Sequence, residues 1–277
     1  MNDMSICRRE CDQLREISIT QVTIKQEEVF VPAKYPHNFL KNVTARIDFG
    51  KNYYEISSAV PGAVQGVLKE QFPFVQRKKA IAEQMQVISE TEVKRSHVNE
   101  NHWFHQAKDG NKTICLAPNF MWLDYKKYED FADLKSTFSG VTEALHESLP
   151  DFTVNRFGLR YFNNIELTDP NLTDWEVFLD KNLLSIFNLA DDRTKISRAF
   201  HNLELNYGDM NLTFLYGMHN PDYPAPLKQK TFVLDFDAYI LKAQSQADLM
   251  VNLELMHERI LALFEKSITG KLREIIS

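Results

Sequence analysis

The stretch RFGLRYFNNIEL, residues 156–167, sets two arginines and two asparagines into a run that otherwise reads as a core strand. Side chains of a strand alternate between faces. Arg156, Gly158, Arg160, Phe162 and Asn164 therefore share one face, and Phe157, Leu159, Tyr161, Asn163 and Ile165 share the other. At about 3.3 Å rise per residue, the two arginine Cα atoms stand roughly 13 Å apart. That separation suits two separate contacts better than one clamp. Two chemistries fit it. Guanidinium forks can hold phosphate, carboxylate or nucleic-acid backbone. Alternatively the arginines pair with acids on neighbouring strands, since a buried arginine with no partner costs several kcal/mol.

The acids for the second reading are present. Asp235 and Asp237 share one face of KTFVLDFDAY (230–239), Glu204 lies on the polar face of HNLELNY (201–207), and Asp48 stands near Arg46. The expected groove is thus made of Arg156, Arg160 and Asn164 with Asp235, Asp237, Glu204 and Arg46. Carboxylates at i and i+2 could also bind a divalent cation or divide acid and base roles. No third carboxylate or histidine accompanies them at a metal-ligand spacing, so the sequence points to neither metal nor cofactor. Arg77, Lys78 and Lys79 are consecutive and form a candidate nucleic-acid contact.

Other candidates carry less. His102 and His105 fall on opposite sides of any strand and cannot share a metal. His257, beside the apolar stripe of the last helix, reads as a hydrogen-bonded, half-buried histidine. Cys7 and Cys11 stand four apart without a second ligand pair. Tyr216, Tyr223 and the proline-rich NPDYPAP (220–226) read as a lip over a concavity or as a stiffened hairpin loop. The chain has no nucleophile elbow, P-loop, dinucleotide fingerprint or H-E-x-x-H, and its nine glycines form no rich loop. No catalytic residue is assigned, and the reading leans away from an enzyme.

Periodicity supplies the elements that would position these groups. NVTARIDFG (42–50) alternates as a strand. Residues 57–72 place Val60, Val64, Val67, Leu68 and Phe72 at helical spacing, with Ser57 or Ser58 as cap and Pro61 in the first turn. Three strand candidates follow: QMQVISETEVKRS (84–96), NHWFHQAK (101–108) and KTICLAPNFMWLDY (112–125), with a turn at Lys108-Asp109-Gly110-Asn111. A helix then carries Phe131, Leu134, Phe138, Val141, Leu145 and Leu149, stopped by Pro150. After RFGLRYFNNIEL, Thr173-Asp174-Trp175-Glu176 reads as a capping box opening a helix whose buried face runs from Trp175 to Phe187. Strands at 196–207, 210–218 and 230–239 come next, and a last helix from near Ala247 turns Leu249, Leu253, Met256, Ile260, Leu263 and Phe264 inward.

The order β-α-β-β-β-α thus occurs twice, at 41–152 and 153–277, behind an N-terminal arm (1–40) holding one alternating segment at 17–26. The expected class is α+β: duplicated units with antiparallel sheets and helices on one face of each sheet, the two forming one body.

Composition is that of a water-soluble chain, 44% apolar and 25% charged, with 19 Phe for an interior. A formal charge of −6 disfavours nucleic acid as partner. No run is long and apolar enough for a membrane span, and the N-terminal residues lack a secretory signal. Three cysteines fit a reducing, cytoplasmic setting.

FLKNVTARIDFG, RFGLRYFNNIEL and HERILALFEKSITGKLRE resemble a sporadically distributed bacterial and archaeal family of conserved hypothetical proteins, of about this length and without an established function. The resemblance covers roughly residues 36–277, and its most specific part is an Arg, then Gly-Leu-Arg-Tyr, then Asn and Ile. It implies no catalytic residues; the family's patchy distribution associates it with mobile or defence genes. Three functions follow as expectations. The first is a non-enzymatic binding protein, with another protein as partner and self-association as a variant, in a defence or toxin-regulating system. The second is a nucleic-acid or nucleotide binder using Arg156, Arg160 and the 77–79 cluster. The third is a metal-dependent hydrolase using Asp235 and Asp237.

Overall fold

The computed structural model describes residues 35–89 and 92–277, with side chains left out for 82–96; Cys7, Cys11 and the segment 17–26 lie outside it. Everything described belongs to one unit, Pro32–Ser277. Its frame is an antiparallel sheet of nine strands: β1 (Leu40–Phe49), β2 (Phe74–Ser89), β3 (Glu92–Gln106), β4 (Lys112–Leu116), β5 (Phe120–Tyr125), β6 (Val154–Leu167), β7 (Ala199–Asn206), β8 (Met210–Met218) and β9 (Lys230–Ile240). Across the sheet they stand in the order β2-β3-β4-β5-β1-β6-β9-β8-β7. The helices are α1 (Glu55–Ser58), α2 (Gly62–Leu68), α3 (Phe131–Ser148), α4 (Lys181–Leu184), α5 (Gln246–Ser267) and α6 (Gly270–Ile276).

Alternation decides which face of the sheet is dry. On β1, Val43, Ala45 and Ile47 are fully buried, and on β6 so are Phe157 and Leu159. These residues meet Leu134, Phe138 and Val141 of α3 and Leu253 and Met256 of α5. Phe138 and Phe157 stack with centroids 5.0 Å apart. Burying one such ring is worth about 2–3 kcal/mol, so these helices are held on this face, and no helix among the described residues packs on the other. Asp130 caps α3 by accepting from the Asp133 amide, and Ser245 with Asp248 forms a full capping box at α5.

Several sequence expectations are corrected. The first half holds four strands after its helices, not three. Residues 84–96 straddle the β2–β3 turn, and 112–125 breaks at Ala117–Asn119 into β4 and β5, where the Ala117 amide donates to the Phe120 carbonyl. The helix expected over 57–72 is two short ones. The first ends where Ala59 turns extended, Pro61 stands at the N-cap position of the second, and Val67 is exposed.

The helix expected from Thr173 does not form. Only α4 and the 3₁₀ turns Ser185–Leu189 and Arg193–Lys195 are helical there; of the six residues expected on its buried face, Trp175, Leu179, Leu183 and Phe187 are buried, Phe178 is half-buried and Ile186 is exposed. The backbone groups are used elsewhere. Lys230, its side chain 1% exposed, donates to the Asn171 and Asp174 carbonyls and to Asp169. The Asp180 amide donates to Ser267, and Thr269 donates to Phe178.

Candidate functional site

The bare face is built by register. Across β5, β1, β6 and β9 the rows run Trp122–Arg46–Gly158–Tyr239 and Asp124–Thr44–Arg160–Asp237, with Asp48 opposite Arg156 and Phe162 opposite Asp235. Where these rows cross the β1–β6 ladder lies a concavity of about 630 Å³, lined by Thr44, Arg46, Asp48, Trp122, Asp124, Arg156, Gly158, Arg160 and Asp237. The ladder that makes its floor joins residues more than a hundred positions apart in the chain, so the site exists only in the assembled sheet.

Each guanidinium here has an acid and a ring. Arg160 forks onto Asp235, Nε to Oδ1 at 2.8 Å and Nη2 to Oδ2 at 2.6 Å, and lies 5.8 Å from the Phe162 ring centroid. Arg46 forks onto Asp48 at 2.9 and 2.6 Å and sits 4.5 Å over Phe120. Arg156 is held more loosely. Its Nη1 reaches Asp48 Oδ2 at 3.5 Å, and its plane lies 5.5 Å from the Tyr239 centroid. A Cβ at Gly158 would stand 3.3 Å from that same Nη1, so the missing side chain is what lets Arg156 fold across the floor.

The acids differ among themselves. Asp235 is 6% exposed and fully engaged by Arg160, whose own pKa that bond raises. Asp237 makes no ion pair within 4 Å among the described residues. Burial pushes its carboxyl up from the usual range, against the opposing pull of Arg156 and Arg160. Asp124 accepts from Asn42 and Thr44.

The structure therefore brings Arg46, Arg156, Arg160, Asp235 and Asp237 together. Asn164 shares the face but donates to Glu166 at 2.6 Å, and Glu204, on β7, accepts from Thr213 and Asn202. The basic cluster is elsewhere. Arg77, Lys78 and Lys79 sit on the edge strand β2, five strand spacings or roughly 24 Å from β6. They alternate between faces, Arg77 toward Trp103 and Lys78 over Phe104 at 4.5 Å. No cluster of three His, Cys, Asp or Glu suited to a metal occurs among the described residues. His102 bonds Glu100, and buried His105 lies on the other face. Tyr216 belongs to β8, while Tyr223 lies in the β8–β9 connection under the Arg198 guanidinium at 3.9 Å.

Sequence reasoning missed Trp122, Asp124, Gly158 and Tyr239. The signal was available in FMWLDY, whose alternation puts Phe120, Trp122 and Asp124 on one face. No protein family, curated protein or solved structure matches this chain. No helix among the described residues is long and apolar enough to cross a membrane.

Proposed function

We propose that this chain is a non-enzymatic binding protein that docks a protein partner on its helix-free sheet face, across the β1–β6 junction. The observation that carries this reading is the concavity in which Arg46, Arg156 and Arg160 each lie against an aromatic ring and an acid. Arginine and aromatic side chains on a mixed-charge floor are the usual makings of a protein–protein hot spot. The loosely held Arg156 is the group with most to gain from a partner's carboxylate. The resemblance in its three motifs supports an accessory place in a defence or toxin-regulating system.

The two halves read as a duplicated unit. From the junction outward the strands run β1-β5-β4-β3 on one side and β6-β9-β8-β7 on the other, with β2 as the first half's addition. On this reading the docking concavity sits where the two units meet.

Nucleic acid is the second reading, and it is weaker. Acids already neutralise two of the three guanidiniums, and the 77–79 cluster is split between faces. A hydrolase using Asp235 and Asp237 fares worse, because Arg160 engages both oxygens of Asp235.

The test is affinity capture from native cells with the intact chain, Arg156→Glu, and Val251→Ala as a control on the exposed side of α5. One partner retained at roughly 0.5 M salt, where exposed charges are screened, held by the control and released by Arg156→Glu, supports the reading. A partner held equally by all three overturns it. Oligonucleotide binding that falls steeply with salt would move the assignment to nucleic acid.

A further inference from the structure

On the opposite side of the sheet, between β6 and α5, lies a second cavity of about 250 Å³. Its depth is apolar and aromatic, with Phe236 and Tyr161 buried, and its rim carries the exposed Asn38 and Glu129. One wall is flat: the Phe131 and His257 rings stack at 3.9 Å with 4° between planes. A short polar chain runs along it. The Tyr128 and Tyr161 hydroxyls are 2.9 Å apart, and the Tyr161 hydroxyl is 2.9 Å from His257 Nδ1.

We propose that this cavity binds a small planar aromatic molecule carrying one hydrogen-bonding group, its ring slotted beside the Phe131–His257 wall and its polar atom on the Tyr128–Tyr161 hydroxyls. Size sets the first limit. An apolar cavity of about 150 Å³ admits benzene, so this one takes one ring with a substituent or two fused rings. Packing gives the second argument. Apolar walls at this spacing offer a flat ring dispersion contacts along its faces, and larger side chains at Leu261 or Ile260 would close the space. Polarity gives the third. A hydroxyl has two acceptor lone pairs and one proton, so the Tyr–Tyr–His chain keeps acceptor capacity that an incoming O–H or N–H can use. The site stands apart from the docking face and does not depend on it.

The probes are 2-naphthol and naphthalene, titrated into the full chain and followed by ligand-observed NMR. Saturable one-to-one binding of 2-naphthol is expected. Leu261→Trp, which fills the space, should weaken it at least tenfold while circular dichroism stays unchanged. Tyr161→Phe keeps the ring and removes the hydroxyl; it should weaken 2-naphthol roughly three- to tenfold and leave naphthalene unaltered. Absence of saturable binding to the unmodified chain overturns the proposal, as does undiminished binding by folded Leu261→Trp. Should Leu261→Trp fail to fold, the two-probe comparison in Tyr161→Phe decides alone, and equal losses for both probes count against the hydroxyl contact.

Discussion

Acid should weaken this protein through one histidine. Burial pushes His257 down from 6.5 to about 4, while its ring packs on Phe131 and its Nδ1 meets the Tyr161 hydroxyl. With the imidazole neutral, Tyr128 can donate to Tyr161 and Tyr161 to Nδ1, one proton per bond; a protonated ring would force the chain to reverse. The folded state thus favours the uncharged form. Between pH 6.5 and 4 the unfolded chain binds more protons, so stability is full above 6.5 and falls as the pH drops toward 4. A gap of about 2.5 at 1.36 kcal/mol each is worth roughly 3 kcal/mol, of which about 2 kcal/mol is lost between pH 7 and 5. Other groups titrate nearby. His105 is pushed down by burial and acts in the same direction. Asp237 is pushed up and acts in the opposite one, its contribution being lost as pH rises. The measurement is therefore a difference: urea unfolding followed by tryptophan fluorescence at pH 7 and 5, for the native chain and His257→Phe. The native chain should lose about 2 kcal/mol more than the variant. PH dependences parallel to within about 0.5 kcal/mol would refute the reasoning.

Three further outcomes follow from named contacts. Lys230→Met should cost roughly 2–4 kcal/mol, because it leaves the Asn171 and Asp174 carbonyls without their donor; a lowered urea midpoint with unchanged slope would confirm it. Gly217→Ala should be worse tolerated than any change on the bare face, since its Cβ would fall 2.0 Å from the Ala199 backbone oxygen; little or no soluble folded chain by circular dichroism is the expected reading. A Cβ at Gly158 would press at 3.3 Å on the flexible end of Arg156 and meet the Ala238 carbonyl at an ordinary 3.6 Å, so for Gly158→Ala stability should stay within about 1 kcal/mol while partner capture drops. Unchanged capture there would detach Arg156 from docking.

Much of the architecture was legible because it rests on period alone. Residues 156–167 alternate without interruption, and the structure divides them between faces as their order implies. The stripes of α3 and α5 were equally plain, since Leu134, Phe138 and Val141, like Leu249, Leu253 and Met256, recur at three and four and are buried. Failures came where a distant group took over the backbone. Trp175, Leu179, Leu183 and Phe187 have helical spacing, yet Lys230, more than fifty residues later, claims the Asp174 carbonyl that a helix would have used. The capping box sought at Thr173 stands instead at Ser245, with aspartate at its third position. At the site, alternation gave the face of each arginine but not its partner. Arg160 faces Asp237 in the ladder and reaches diagonally to Asp235, a choice set by side-chain reach across strands.

Because β1 pairs with β5 on one side and β6 on the other, synthesis of this chain passes through a stage with an unfinished seam. Once Tyr125 has emerged, β5 can zip onto one side of β1, but the other side waits until Leu167 has been made. For that interval a row of unsatisfied amides and carbonyls is displayed to any neighbouring nascent chain, a template for mispairing. Rapid arrival of the second half is thus part of what keeps the product single.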